Sequence, residues 1–270
     1  MSPWTIILGA VVGFSLGLTG GGGAIFAVPL LVYGLGVDPY EAIGVSLVTV
    51  GVTALVGFLQ RLRVGLVEVR TGVLFAVAGM LAAPVGSRLA ARIPETSLLV
   101  SFSILMLLVA VRMWRKAGDP AERLVMHIGE HESGPTCRRD PQGVLHLTSR
   151  CGLLLGAVGM VTGFLTGLFG VGGGFIIVPA LVTFSGMGIQ RAIGTSFLVI
   201  SLVSVAGTAS LVAWGRPLPL HLAAWFATGS VVGLLAGTTL AHRVGGATLR
   251  KVFAVAILVV ALFVIVRNVL

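Results

Sequence analysis

Apolar residues run in ten blocks, at about 4–18, 24–36, 41–59, 71–91, 96–114, 151–168, 174–186, 192–213, 219–241 and 247–269. Six of these, 41–59, 71–91, 96–114, 192–213, 219–241 and 247–269, reach or approach the roughly 20 residues that a helix needs to cross a bilayer. The other four come as two pairs. The stretch 4–36, and its counterpart beginning at 151, is too long for one straight span and too short for two full ones at about 1.5 Å rise per residue. Glycines interrupt each stretch near its middle, where they lower helix propensity. Each therefore reads as two short helices joined by a glycine-rich break, either a re-entrant hairpin or a pair of tilted short spans.

The two sets of five blocks are copies. Residues 13–58 laid on 163–208 without a gap are identical at 17 of 46 positions, and GFSLGLTGGGGAIFAVP at 13–29 returns as GFLTGLFGVGGGFIIVP at 163–179. Two related apolar halves, each broken by glycines at the same place, are the sequence pattern of a membrane transporter. Composition agrees: 56% of the chain is hydrophobic and 10% is charged, against about 25% charge in soluble domains. So much apolar surface calls for the bilayer as solvent. The net charge of +9 sits in short connections rather than along a continuous stripe, so it is not a nucleic-acid signature.

Charge placement sets an expected orientation. The segments 60–70, 112–150, 186–191 and 242–251 hold 14 of the 18 Lys and Arg residues, and Arg88, Arg92, Arg216 and Arg267 are the rest. The positive-inside rule places the first group in the cytoplasm and both termini outside. Each half then makes an odd net number of crossings, and the halves are inverted relative to each other. The first Lys or Arg is Arg61, so the first block lacks a basic leader and is expected to stay in the mature chain. Residues 116–149 carry turn signals and much of the charge and read as a cytoplasmic connector. Cys137 and Cys151 lack a CxxC spacing and are expected to be ordinary loop and helix-start residues.

Candidate chemistry is concentrated in the glycine breaks, Gly20–Gly23 and Gly170–Gly174. A helix that starts after such a break offers free backbone N–H groups with its dipole behind them, which suits an anion. Glycine lets a ligand approach the backbone closely. With inverted halves the two starts can meet near the bilayer midplane. Gly9, Gly13 and Gly17, and Gly159, Gly163 and Gly167, stand four apart and read instead as helix-packing glycines. Hydroxyls on the third helix of each half, Ser46, Thr49, Thr53, Thr195, Ser196 and Ser204, either donate to an oxyanion or bond to neighbouring backbone. Pro29 and Pro179 read as structural, limiting or kinking the short helices. No Asp, Glu, Lys, Arg or His falls in the middle of an expected span, which leaves no proton relay or cation site of the usual kind. There is no nucleotide-binding GxxxxGK(S/T), no nucleophile–base set in the spans, and no completed metal motif among His127, Glu130, His131, Glu132, Cys137 and His146.

The doubled motif, GGGGAIFAVP with AIGVS and VGGGFIIVP with AIGTS, resembles the TauE/SafE sulfite exporter family over roughly 5–113 and 151–268. The resemblance implies movement of sulfur-containing anions such as sulfite, sulfonates and thiosulfate, or of organic acids. It carries over to the two glycine motifs, Pro29, Pro179, Ser46 and Ser196, and to nothing in the connector. The expectation is an all-α polytopic membrane protein of two inverted five-helix repeats, 1–115 and 150–270, flanking the connector 116–149. It is not expected to be an enzyme. It would be a secondary transporter of small sulfur-containing anions in the inner membrane, expected to export them by alternating access, with an anion channel or an uptake carrier for organic acids or sulfonates as alternatives. Expected substrate-binding residues are Gly20, Gly21, Gly22, Gly23, Ser46, Thr49, Gly170, Gly172, Gly173, Gly174, Thr195 and Ser196. The expected partners are the anion and the lipid bilayer, with no cofactor, metal or nucleic acid.

Overall fold

The computed structural model describes residues 3–117, 138–139, 145–146, 149–216, 218–241 and 246–269. The fold is all-α. In the first half lie α1 (Trp4–Thr19), the short α2 (Gly22–Gly34), α3 (Pro39–Arg63), α4 (Val69–Ala90) and α5 (Glu95–Ala117). In the second lie α6 (Ser149–Phe169), α7 (Gly174–Ser185), α8 (Ile189–Ala213), α9 (Leu220–Ala241) and α10 (Gly246–Val269). In the connector, Arg138–Arg139 pairs antiparallel with Leu145–His146. His127, Glu130, His131, Glu132 and Cys137 lie outside the described residues. Cys151 is not an ordinary helix-start residue: it is buried and disulfide-bonded.

Among the described residues five helices are long and apolar enough to cross a membrane, including α6 and, with 25 residues each, α3 and α8. At 1.5 Å per residue such a helix is about 37 Å long, enough for a hydrocarbon core of about 30 Å. By the same measure the 16 residues of α1 and the 12 of α7 reach only about 24 and 18 Å. They do not cross. α2 folds back along α1: Gly23 lies against Ser15 and Leu16, and Gly34 lies against Leu8. That antiparallel pairing makes 4–34 a hairpin with its glycines at the tip. In the second hairpin Gly173 packs on Thr162 and Thr166 of α6. Within α2 the coil loosens along its length, from a 3₁₀ turn at Gly22–Phe26 to a wider π turn at Leu30–Gly34. The change falls at Pro29, which has no N–H to continue the α-helical pattern.

The halves exchange partners. α1 packs on α9 of the other half and α6 on α4 of the first. Both seams are made by the four-spaced glycines. Methyl groups built on Gly9, Gly13 and Gly17 would run into the backbone of Phe226, Ser230 and Leu234, and those on Gly159, Gly163 and Gly167 into that of Phe75, Gly79 and Ala83. In an apolar solvent helix association rests on such close packing rather than on burial from water. Both seams run parallel, since the partner numbers rise together. The equivalent helices α3 and α8 instead run antiparallel, with Gly44 by Leu211, Gly51 by Ser204 and Gly57 by Phe197. α5 and α10 pack together and leave Leu107, Leu108, Leu258, Val259, Leu262 and Phe263 outward. Apolar side chains facing out in this way suit lipid.

Candidate functional site

The two hairpin tips are built alike. α1 ends at Gly20 and α6 at Gly170, each in the left-handed region (φ 72° and 70°). Each glycine N–H caps its helix, on the Leu16 and Thr166 carbonyls at 2.8 Å. This left-handed cap favours glycine because a side chain there meets the following carbonyl. Thr19 closes the first tip, donating to the Ser15 carbonyl (2.8 Å) and accepting from the Gly23 N–H (3.1 Å).

The tips touch. A methyl group on Gly174 would lie 2.5 Å from the Gly21 Cα, and one on Gly21 would lie 2.8 Å from the Gly174 Cα. Gly172 packs between Val50 of α3 and Ile200 of α8, which are equivalent positions in the two halves. Every residue from Gly20 to Gly23 and from Gly170 to Gly173 is buried. No charged residue occurs in 5–37 or 151–190, so backbone dipoles dominate the field at this junction.

Ser46 and Ser196 bind the tips reciprocally. The Ser46 hydroxyl donates to the Gly170 carbonyl (2.6 Å), and the Ser196 hydroxyl donates to the Gly20 carbonyl (2.7 Å). Ser196 Oγ also lies 2.8 Å from its own helix's Ile193 carbonyl. Each serine thus holds the first glycine of the other half's break, and its proton is committed to a carbonyl in this conformation. The amides are different. Among the described residues, the N–H groups of Gly21, Gly22, Gly172, Gly173 and Gly174 make no hydrogen bond. A buried donor left without a partner costs about 1–3 kcal/mol, so this cluster is a reservoir of unsatisfied positive polarity.

Thr49 and Ser204 add to it. Both hydroxyls are buried without a hydrogen-bond partner. Thr49 precedes Val50 on α3, and Ser204 lies one turn beyond Ile200 on α8. Thr53 donates to the Thr49 carbonyl (2.6 Å) and contacts the Ser230 hydroxyl (3.0 Å), tying α3 to α9. Thr195 stands apart from the tips: it accepts from the Glu68 N–H (3.0 Å) and lies 3.6 Å from the Met187 sulfur. Pro29 and Pro179 lie within their short helices. Among the described residues no group of three His, Cys, Asp or Glu side chains could hold a metal.

Access to the junction is unequal. On the side of the connection 64–68, the Leu66 carbonyl presses on Gly194, and Arg61 donates to the Gln190 side chain (2.8 Å). On the opposite side a cavity of about 130 Å³ opens among the start of α3, the end of α4 and the connection 214–219. Its inner wall includes Ile43 and Gly167. Gly170 packs directly on the Ile43 backbone, so the cavity ends one residue layer from the second tip. Periodicity gives no hint of this chamber. The one signal in the sequence is the replacement of Leu66 by Arg216 at the equivalent repeat position.

Comparison with known proteins agrees with this architecture. A family model described as Sulfite exporter TauE/SafE matches residues 5–264. A probable membrane transporter protein of Xylella fastidiosa strain 9a5c is 36% identical over 273 residues, covering 98% of this chain and 95% of the relative. The probable membrane transporter protein YunE of Bacillus subtilis is 28% identical over 237 residues, covering 82% and 84%. The probable membrane transporter protein MJ0441 of Methanocaldococcus jannaschii is 25% identical over 214 residues, covering 77% and 71%. No solved structure matches.

Proposed function

This chain belongs to the TauE/SafE sulfite exporter family, and on that premise we propose that it is a secondary carrier of a small sulfur-containing anion, working by alternating access between inverted halves. Sulfite, a sulfonate or thiosulfate is the substrate class. The observation that carries the reading is the buried meeting of two glycine-tipped hairpins whose tip amides lack partners. Irregular backbone at membrane depth is tolerated where it serves a cavity or is buried in protein. When the tips part, an oxyanion satisfies those amides, with the dipoles of α2 and α7 behind them. The Thr49 and Ser204 hydroxyls stand within a turn of the contact as further donors. The antiparallel run of α3 and α8, equivalent helices of the two halves, supports the inverted reading.

Export is the direction an anion takes with the least help, since an inside-negative potential contributes about 2.3 kcal/mol per charge per 100 mV. The orientation rests on the basic residues. By helix direction the connections 64–68 and 186–188 and the ends of α5 and α9 share one side, and the start of α1 and the end of α10 share the other. Three of the four arginines on the terminal side are stacked on aromatic rings: Arg88 on Trp214, Arg216 on Tyr40 and Arg267 on Tyr33. We assign that side to the exterior of the inner membrane. One observation opposes the assignment: the Cys151 disulfide lies at the connector end of α6, and such bonds persist in oxidising compartments. Impermeant thiol labelling decides the matter. A cysteine at exposed Leu220 should react from outside the cell, and one at exposed Val64 should not.

The functional test is counterflow. Purified protein in liposomes preloaded with unlabelled sulfite should take up labelled sulfite faster than liposomes loaded with chloride, and should saturate. Unitary currents without saturation would establish a channel instead. Absence of flux with sulfite, thiosulfate and simple sulfonates alike would overturn the reading.

A further inference from the structure

The chamber beside the second tip has a chemistry of its own. It is about 130 Å³ in volume, where a single water needs about 10–15 Å³, so a small polyatomic ion fits with water around it. Asp38, Glu41 and Arg216 contribute its charge. Gly215, at φ 68°, turns the chain after α8 and so places Arg216 at the wall. The guanidinium carbon stands 5.3 Å from the centre of the Tyr40 ring, and one nitrogen donates to the Ala91 carbonyl at 3.5 Å. Tyr40 is itself fixed, its hydroxyl donating to the Ile93 carbonyl at 2.6 Å.

Arg216 is therefore oriented without being neutralised: among the described residues its side chain has one hydrogen bond and no ion pair. A guanidinium carries five N–H donors in a planar fork suited to oxyanions. Four of them remain beyond the bond to Ala91. Around this cation the side chains are acidic, and the positive N-terminal end of α3 partly offsets them. Asp38 caps α3 by accepting from the Tyr40 N–H (2.9 Å), Glu41 lies in the first turn of the same helix, and the negative C-terminal ends of α4 and α8 reach the cavity at Ala90 and Leu211. One cation among two carboxylates attracts a single negative charge through its fork and repels a second one.

We propose that Arg216 forms a binding station for a monovalent oxyanion, such as a sulfonate, in the chamber outside the second tip, and that the station disfavours dianions. It rests on the carrier reading, of which it would be the outer waiting site. The closed side has no counterpart, because Leu66 takes the place of Arg216 and packs on Gly194.

The test uses Ala91, which borders the chamber. In the full-length protein in liposomes, a cysteine at position 91 is labelled with an impermeant maleimide, and labelling is counted above that of the unsubstituted chain. Methanesulfonate should slow this labelling several-fold, and sulfate at equal concentration should slow it less. Arg216→Gln should remove the protection, and Arg216→Lys, which keeps the charge without the fork, should retain part of it. Equal labelling with and without methanesulfonate, or protection that survives Arg216→Gln, overturns the station. Protection by sulfate as strong as that by methanesulfonate overturns the monovalent class. Sulfite counterflow is measured on the same preparation. Flux with no protection sinks the station alone, and protection with no flux sinks the carrier reading alone.

Discussion

The connections 64–68 and 214–219 hold equivalent places 150 residues apart, and they do opposite things. Both turn on a left-handed glycine, Gly65 at φ 71° and Gly215 at φ 68°. The first lies flat: the Leu66 carbonyl rests on Gly194, the Glu68 N–H donates to Thr195, and Arg61 holds Gln190. The second stands off. Gly44, the counterpart of Gly194, meets the Leu218 side chain instead of backbone, and the counterparts of Thr195, Gln190 and Arg61 are Val45, Tyr40 and Leu211. One backbone design thus gives a shut side and an open side, and a few polar side chains decide which is which. A carrier that alternates needs both states to lie within a few kcal/mol of each other.

The largest expected effect comes from wedging the shut side. The first side-chain carbon of Gly194→Leu would overlap the Leu66 carbonyl, a backbone atom that cannot swing aside. Overpacking of this kind costs about 1–3 kcal/mol, and each 1.4 kcal/mol is about tenfold. Sulfite counterflow should fall about tenfold or more. Gly44→Leu meets only the end of a flexible leucine and should lower flux far less. Equal losses in the two variants would mean that the sides do not differ as described.

Next come the serines. Ser46→Ala and Ser196→Ala each strip a buried glycine carbonyl of a donor, at about 1–3 kcal/mol. Thermal melting in detergent should show losses of similar size, because the two bonds are reciprocal. A loss confined to one variant would break the symmetry of the junction. Thr195→Val makes the shut side resemble the open one, leaving the Glu68 N–H without its acceptor at about 1 kcal/mol. A cysteine at Val67, which packs near Gly194, should then label roughly fivefold faster. Arg61→Lys keeps the charge but loses the fork that reaches Gln190. It should speed the same labelling by roughly twofold or less.

Much of this architecture is legible in the residues. The ten apolar blocks coincide within a few residues with the ten helices named among the described residues, because lipid exposure leaves the hydrophobic period few alternatives. Gly9, Gly13 and Gly17 announce a packing seam by spacing alone. What they pack against does not follow from spacing: nothing local in α1 points to α9, more than 200 residues on. The serines were legible as a matched pair and not by role, since a hydroxyl donates equally well to an oxyanion or to a carbonyl. Arg216 looks in the sequence like one more basic residue in a loop. Its surroundings come from two distant segments, the start of α3 with Asp38, Tyr40 and Glu41 and the end of α4 with Ala91, that only the fold brings to it.

The exchange of partners between halves also constrains how the chain is made. α1 leaves the ribosome about 200 residues ahead of α9, so at roughly 5–20 residues per second it waits about 10–40 s for the surface it is shaped to meet. During that interval a short hairpin with bare amides at its tip must be sheltered, for instance by the insertion machinery, because hydrocarbon offers those amides no partner. Cutting the gene between the halves and supplying both pieces should therefore restore function only when they are synthesised together.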